Sequence, residues 1–418
     1  MIAEILSTGD EIRTGTLVDT NSAYIAQELE GMGVRVLRHL TVGDDLTELA
    51  AVLQEIGSRA DIAVVTGGLG PTSDDLSAEA AASAAGVPLV LDPEALRWIE
   101  GFFDRIGRPM GDNNRKQALL PESAVRIDNP IGSAPGFHLL IGKCRCFFLP
   151  GVPLEMKRML RESVLPTIDT LLGSGARPIR IVTTLSSFGY GESMTAEKLT
   201  GFDEAFPDIR LGYRAKFPEV QIKLYLEGTD RLKLEARSLE AAGWVKERLG
   251  GRVFSDRGES MPEVIGRLLV ERGATLAVAE SCTGGLISHW ITNVAGSSRY
   301  FLSAAVTYAN EAKTRLLGVS PEILLRYGAV SEPVIREMAE GVRRMSGANF
   351  GLATSGIAGP DGGTPEKPVG LVWIGVSTQE NGTSARSFQF RYANREANKQ
   401  MFAMTALEML RRTLCQNS

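Results

Sequence analysis

Apolar and polar positions along the chain alternate between two periods. Ile2 to Leu6 reads as a short buried strand. Ile25, Leu29 and Met32 then fall at i, i+4 and i+7, one face of a helix. Gly31 and Gly33 break that helix, and Val34 to Leu37 reads as a second strand. Leu49, Val52, Leu53 and Ile56 form another helical stripe, and Ile62 to Val65 a third strand. This strand runs into Gly67-Gly68-Leu69-Gly70-Pro71, and the alanine-rich Ser77 to Ala85 follows as a strong helix former. Repeated β-α-β units of this kind predict a mostly parallel sheet with helices on both faces.

The pattern changes after Leu172-Gly173-Ser174-Gly175-Ala176-Arg177-Pro178, whose composition predicts a linker. Ile179 to Thr183 and Val220 to Leu226 read as strands, and 193–199 and 232–249 as helices, a small α+β domain. Gly250-Gly251 and 256–258 mark a second boundary. Beyond it Val264, Ile265, Leu268 and Leu269 make a helical stripe and Leu276 to Ala279 a strand. A turn from Glu280 to Gly285 and a helix from Leu286 to Val294 follow. Strands at 304–308, 350–354 and 369–376 come next, then a long helix from about Arg395 to Leu414. The expected domains are therefore 1–172, 173–255 and 256–418.

Composition narrows the function classes. Lys and Arg number 45 against 50 Asp and Glu, a net charge of −5, which disfavours broad binding to nucleic acid or an anionic membrane. No apolar run approaches the roughly 18 residues of a membrane helix. The beginning MIAEILSTGDE lacks a basic-then-apolar signal pattern. Four cysteines are too few for a disulfide framework, so a cytoplasmic setting is expected, and three histidines argue against a His-rich metal site. Cys144 and Cys146 share one face of a strand, but no second Cys or His pair completes a zinc site.

Three C-terminal segments sit at predicted strand ends. In Ala279-Glu280-Ser281-Cys282-Thr283-Gly284-Gly285, three adjacent side chains are potential nucleophiles. The free N–H groups of the next helix would hold a phosphate or an oxyanion, unless the segment is a plain helix cap. Thr307 to Lys313 brings a lysine, which acts as a base only if burial or nearby positive charge lowers its pKa, and is otherwise a solvated helix residue. Ala353 to Gly363, dense in glycine, would wrap a phosphate or sugar, or form a long turn. In the N-terminal part, Val64 to Asp75 carries Gly67, Gly68 and Gly70 between a strand and a helix, the context of a phosphate cradle. Asp74 and Asp75 beside it, completed by Asp44 and Asp45, predict a hard divalent cation such as Mg²⁺, with Asp44, Asp74 and Asp75 as its ligands, or serve only the helix dipole.

AESCTGG, TYANEAK, GAVSEP, TSGIAGPDGGTPEKPVG and Asn394-Arg395 closely resemble the CinA C-terminal domain over about 260–415. The resemblance implies hydrolysis of nicotinamide mononucleotide to nicotinate mononucleotide and ammonia, without a cofactor. It implies Ser281 as nucleophile, Lys313 as base and Tyr308 as a positioning group. It also implies that Arg395 binds the substrate phosphate and that Thr283, Gly284, Ser355 and Gly356 line the substrate. N–H groups near Thr283 and Gly284 would steady the oxyanion, and Cys282 ranks second to Ser281 because no histidine adjoins it in sequence. The sequence has Ala309 where serine, and Ser355 where threonine, is common.

The glycine loop, Ser7 to Ile12, Asp19 to Ser22 and Leu149 to Met156 resemble the molybdopterin-binding family of the MoaB and MogA type. Together the matches resemble the CinA family over nearly the whole chain. They imply an α/β fold: a three-layer N-terminal domain, a KH-like α+β middle domain without an evident GXXG clamp, and an α/β C-terminal domain. They further imply a metal-dependent pyrophosphatase acting on ADP-ribose in the N-terminal domain, and at least a dimer. Two other readings are a molybdopterin-binding or adenylylating protein, and a non-catalytic interaction protein in DNA uptake or recombination.

Overall fold

The computed structural model describes residues 1–173 and 179–416. Most of the expected linker, 174–178, lies outside the described residues. The chain forms two compact units, Met1–Arg180 with Glu227–Arg231, and Ile181–Leu226 with Leu232–Ser418.

The first unit is built on a six-stranded sheet in the order Arg35–Val42, Ile2–Thr8, Ile62–Thr66, Cys144–Leu149, Gly136–Ile141, Val125–Ile127. The first four strands are parallel and the last two antiparallel. Helices cover both faces, so the central strand is buried throughout. Ile62 and Val64 pack on one side with Ile25, Leu29 and Met156, and Ala63 and Val65 on the other with Leu49, Leu53 and Ala80. Glu4 is fully buried in this setting because Arg59 grips both its oxygens, at 2.7 and 2.9 Å. The two antiparallel strands continue the sheet past the β-α-β repeats, with Cys144 and Cys146 buried side by side.

In the second unit, a four-stranded sheet has the order Arg210–Lys216, Glu219–Gly228, Ile179–Phe188, Val253–Ser255. Its core gathers Leu185, Ile222, Leu224 and Leu226 under Ala241 and Val245 of the helix Arg231–Leu249. The edge strand Arg210–Lys216 alternates Leu211, Tyr213 and Ala215 with Arg210, Gly212, Arg214 and Lys216, a short period-2 pattern not among the strands expected from the sequence.

A five-stranded sheet follows in the order Phe301–Val306, Leu276–Glu280, Phe350–Gly356, Leu371–Thr378, Gly382–Gln389. The first three strands are parallel and the others antiparallel. Leu276 and Val278 face the helices Met261–Glu271 and Arg395–Gln416, while Ala277 and Ala279 face Glu332–Ser346. Burial on both faces explains the unbroken apolar run before Glu280. No helix among the described residues is long and apolar enough to cross a membrane.

Candidate active site

Three sequence motifs meet because their strands are neighbours. In the parallel ladder Glu280 pairs with Val306 on one side and Thr354 on the other. The segments that follow, Ser281 to Gly285, Thr307 to Lys313 and Ser355 onward, therefore emerge side by side at the carboxyl edge of the sheet. That edge is where open α/β sheets hold their ligands.

The Ser281–Gly285 turn is shaped from beneath by Glu280. Its carboxylate, fully buried, accepts the N–H groups of Gly285 at 3.0 Å, Ile287 at 3.2 Å and Ser288 at 2.9 Å, together with the Ser288 hydroxyl. The helix Leu286–Thr292 thus has its N-terminal donors filled by the protein's own carboxylate. Gly284 N–H donates to the Ser281 carbonyl. The expectation that the helix N–H groups and that of Gly284 stand free for an oxyanion is corrected accordingly. The backbone N–H groups of Cys282 and Thr283 are directed at the buried Cys282 sulfur. Gly284 and Gly285 have φ of 61° and 93°, which permits the chain to reverse there without side-chain strain.

Lys313 is 1% exposed. Its ammonium donates to the carbonyl oxygens of Thr307 at 2.8 Å and Tyr308 at 3.2 Å. Burial pushes its pKa below the ordinary lysine value, and the charges of Cys282 and Glu311 oppose that push only in part. Among the described residues no carboxylate pairs with it, and no hydrogen bond joins it to Ser281. Cys282, its electrostatic neighbour, is packed into the apolar core, and burial pushes the thiol up to about 12. Ser281, by contrast, is partly exposed.

The other expected residues divide. Tyr308, 62% exposed, accepts from Arg395 at 2.8 Å, and Arg395 also donates to the Gly359 carbonyl. Arg395 thereby ties the second motif to the glycine-rich loop. Thr283 turns its hydroxyl inward to Thr354 at 2.8 Å. Ser355 donates to the Ala329 carbonyl at 2.8 Å, and both Ser355 and Gly356 still belong to the strand, opposite Trp373 and Val372. A side chain at Gly356 would meet the Leu371 carbonyl at 2.5 Å, so this glycine serves strand packing. His289 is exposed on the helix, its ring against Asn293.

Residues outside the motifs also take part. Asn398 is buried and donates to the carbonyls of Ala358 and Tyr392, which pins the glycine-rich loop to the last helix. Lys399 brings its ammonium to 3.6 Å from the position a Gly284 Cβ would take. Neither has a signal in local periodicity. Lys399 was legible only as the residue four after Arg395, on the same helix face.

The first unit has its own cavity, of about 810 Å³, at the carboxyl ends of its parallel strands. Gly67, Gly68, Gly70, Asp44, Asp74 and Asp75 all line it. Gly67 has φ of 108°, and a Cβ there would strike the Thr8 carbonyl and hydroxyl at 2.6 Å, which accounts for the glycine. Asn21 donates to Thr66 and to the Gly151 carbonyl, so its amide orientation is fixed, and its own oxygen is buried without a partner. The Thr8 hydroxyl is buried and unpartnered as well. Burial, then the charges of Asp10, Glu11 and Asp74, push the Asp44 carboxyl up against the hydrogen bond from Asp10 N–H. The Asp75 carboxylate is committed to the Thr72 N–H and hydroxyl, while Lys116 grips the Thr72 and Asp75 carbonyls from outside. Among the described residues no three His, Cys, Asp or Glu side chains are grouped to hold a metal ion. The three aspartates share the cavity without composing a cation site as they stand.

Comparison with known proteins gives matches for both units. Residues 258–414 match the CinA C-terminal domain and residues 4–170 the probable molybdopterin binding domain. A CinA-like protein of Desulfosudis oleivorans is 52% identical over 414 residues, covering 99% of this chain and 100% of that one. One from Geobacter metallireducens is 46% identical, covering 99% of both chains. The crystal structure of the protein CinA with unknown function from Thermoplasma acidophilum is 35% identical, covering 40% of this chain and 96% of that chain, with a TM-score of 0.37.

Proposed function

The chain belongs to the CinA family, and on that premise we propose that its C-terminal site hydrolyses the carboxamide of nicotinamide mononucleotide, releasing ammonia and nicotinate mononucleotide. The observation that carries this reading is the buried Lys313, held without a counter-ion beside the Ser281–Cys282 turn. A neutral lysine has two N–H donors and one lone pair. The Thr307 and Tyr308 carbonyls take both donors, so the lone pair is the remaining capacity of the amine, and it is basic.

Ser281 is the nucleophile in this proposal. Its hydroxyl oxygen attacks the carboxamide carbon as Lys313 accepts the hydroxyl proton. The C–N bond then breaks, and the proton on Lys313 passes to the leaving nitrogen, which departs as ammonia. Water attacks the resulting ester, again giving a proton to Lys313; the C–O bond to Ser281 breaks as that proton passes to the serine oxygen, and the acid released ionises to the carboxylate. The cationic pyridinium withdraws electrons from the carbonyl and eases the first attack. Cys282 is excluded as nucleophile by its burial and by a thiol that stays protonated at neutral pH.

A second site is supported by the cavity of the first unit. Its volume suits a drug-sized ligand, and the unpartnered Asn21 oxygen and Thr8 hydroxyl ask for a hydroxyl-bearing, phosphate-bearing molecule. ADP-ribose, cleaved at its diphosphate, is the proposed ligand, with molybdopterin as the competing one.

Ammonia release from nicotinamide mononucleotide, measured with and without EDTA, tests the main reading. Release that survives EDTA and vanishes in Lys313→Ala supports it. No release from the intact protein sinks it and favours an interaction role instead.

A further inference from the structure

The geometry points to Lys399 as the residue that reads the substrate phosphate, an inference that rests on the deamidase reading above. Lys399 lies one turn after Arg395 on the helix Arg395–Gln416, so both cations share a face over the active-site turn. Their situations differ. The Arg395 guanidinium gives two of its five N–H donors to the Gly359 carbonyl and the Tyr308 hydroxyl, which holds it as a clasp between two loops while its charge stays unneutralised among the described residues. The half-buried Lys399 has no ion pair and no hydrogen bond among the described residues. Its ammonium hangs 3.6 Å above the place of a Gly284 side chain, at the exposed end of the turn whose other end carries Ser281.

Charge decides which part of the substrate this cation meets. The pyridinium ring is positive and repels an ammonium, whereas the phosphate is a dianion and attracts one. With the carboxamide placed at Ser281, the ring occupies the buried end of the site and the phosphate the Lys399 end. Gly284 carries no side chain between the turn and the ammonium, and its φ of 61° favours glycine there. Lys399 is thus a specificity residue that distinguishes a nucleotide from its nucleoside.

The test compares binding of nicotinamide mononucleotide and nicotinamide riboside to the full-length Ser281→Ala protein, by calorimetry. The same titrations are then made after adding Lys399→Gln or Lys399→Arg, with thermal melting as the control for folding. Lys399→Gln is expected to weaken the nucleotide by roughly 10- to 100-fold and leave the riboside unchanged, and Lys399→Arg to restore most of the loss. Equal losses for both ligands, or no loss for either, would overturn the assignment while leaving the deamidase reading in place. If the Ser281→Ala protein with Lys399 intact binds neither ligand, the deamidase reading itself fails and takes this one with it.

Discussion

Lys313 donates to the Thr307 carbonyl oxygen at 2.8 Å from a side chain that is 1% exposed. A lysine so enclosed is costly to keep charged, and the carbonyl partners return only part of its lost hydration. The fold therefore favours the neutral amine of Lys313 more than water does.

The pH dependence follows from that. Lowering the Lys313 pKa in the folded state means that the neutral amine appears before the ordinary lysine value of 10.5. We expect kcat/KM to climb with pH and level off below 10.5, and Lys313→Arg to be inactive at every pH. In the same window the unfolded chain binds more protons than the folded one at this position, so its contribution to stability rises with pH. A kcat/KM profile that is flat from neutrality to pH 10 argues against Lys313 as the base.

Ser281→Ala should cut ammonia release at least 1000-fold, on the order of the loss when a nucleophile is removed, without changing the melting temperature by more than a degree or two. Cys282→Ala should stay active, at some cost in stability from the cavity left in the core. In the native protein a thiol reagent should modify the exposed Cys415 first, because the other three thiols are buried. Rapid labelling of Cys282, read by peptide mass, would reopen the choice of nucleophile.

Glu280 is expected to matter more for the fold than for chemistry. Glu280→Ala removes the acceptor for three N–H groups and a hydroxyl, and should cost about 3 kcal/mol. Glu280→Gln retains one acceptor oxygen and should lose less. Chemical denaturation of both variants checks the order; equal stabilities would mean the helix end is satisfied by water.

The two units should act independently. Asp75→Ala frees the Thr72 loop and should abolish ADP-ribose cleavage while sparing deamidation, and EDTA should do the same if a cation completes that site. Loss of both activities together in Asp75→Ala would mean that the sites are coupled.

Much of this molecule is written locally. The runs Ile62–Val65 and Leu276–Ala279 announce buried strands, Ser77–Ala85 emerges as a helix with the expected bounds, and the long last helix begins at Arg395 as expected. These features depend on side chains within a turn or two of one another, and the motifs that follow the strands are legible for the same reason. The strands Arg210–Lys216 and Gly382–Gln389 escaped: the first is a short edge strand whose alternating positions hold only Leu211, Tyr213 and Ala215, and in the second Ala385 and Phe388 fall out of phase.

By itself, then, the sequence determined much of the order of elements and the two Gly-bearing turns, and it singled out Ser281 and Lys313 as candidates. Only the tertiary structure decided what each group faces. Sheet pairing set Glu280 between Val306 and Thr354, and the fold filled the helix N–H groups with its carboxylate. Packing sealed Cys282 in the core, joined Arg395 to Tyr308 and brought Lys399 over Gly284 from more than a hundred residues away. The reason is physical: propensity and periodicity are properties of near neighbours, while burial, hydrogen-bond occupancy and the field at a charged group are sums over whatever the folded chain brings close.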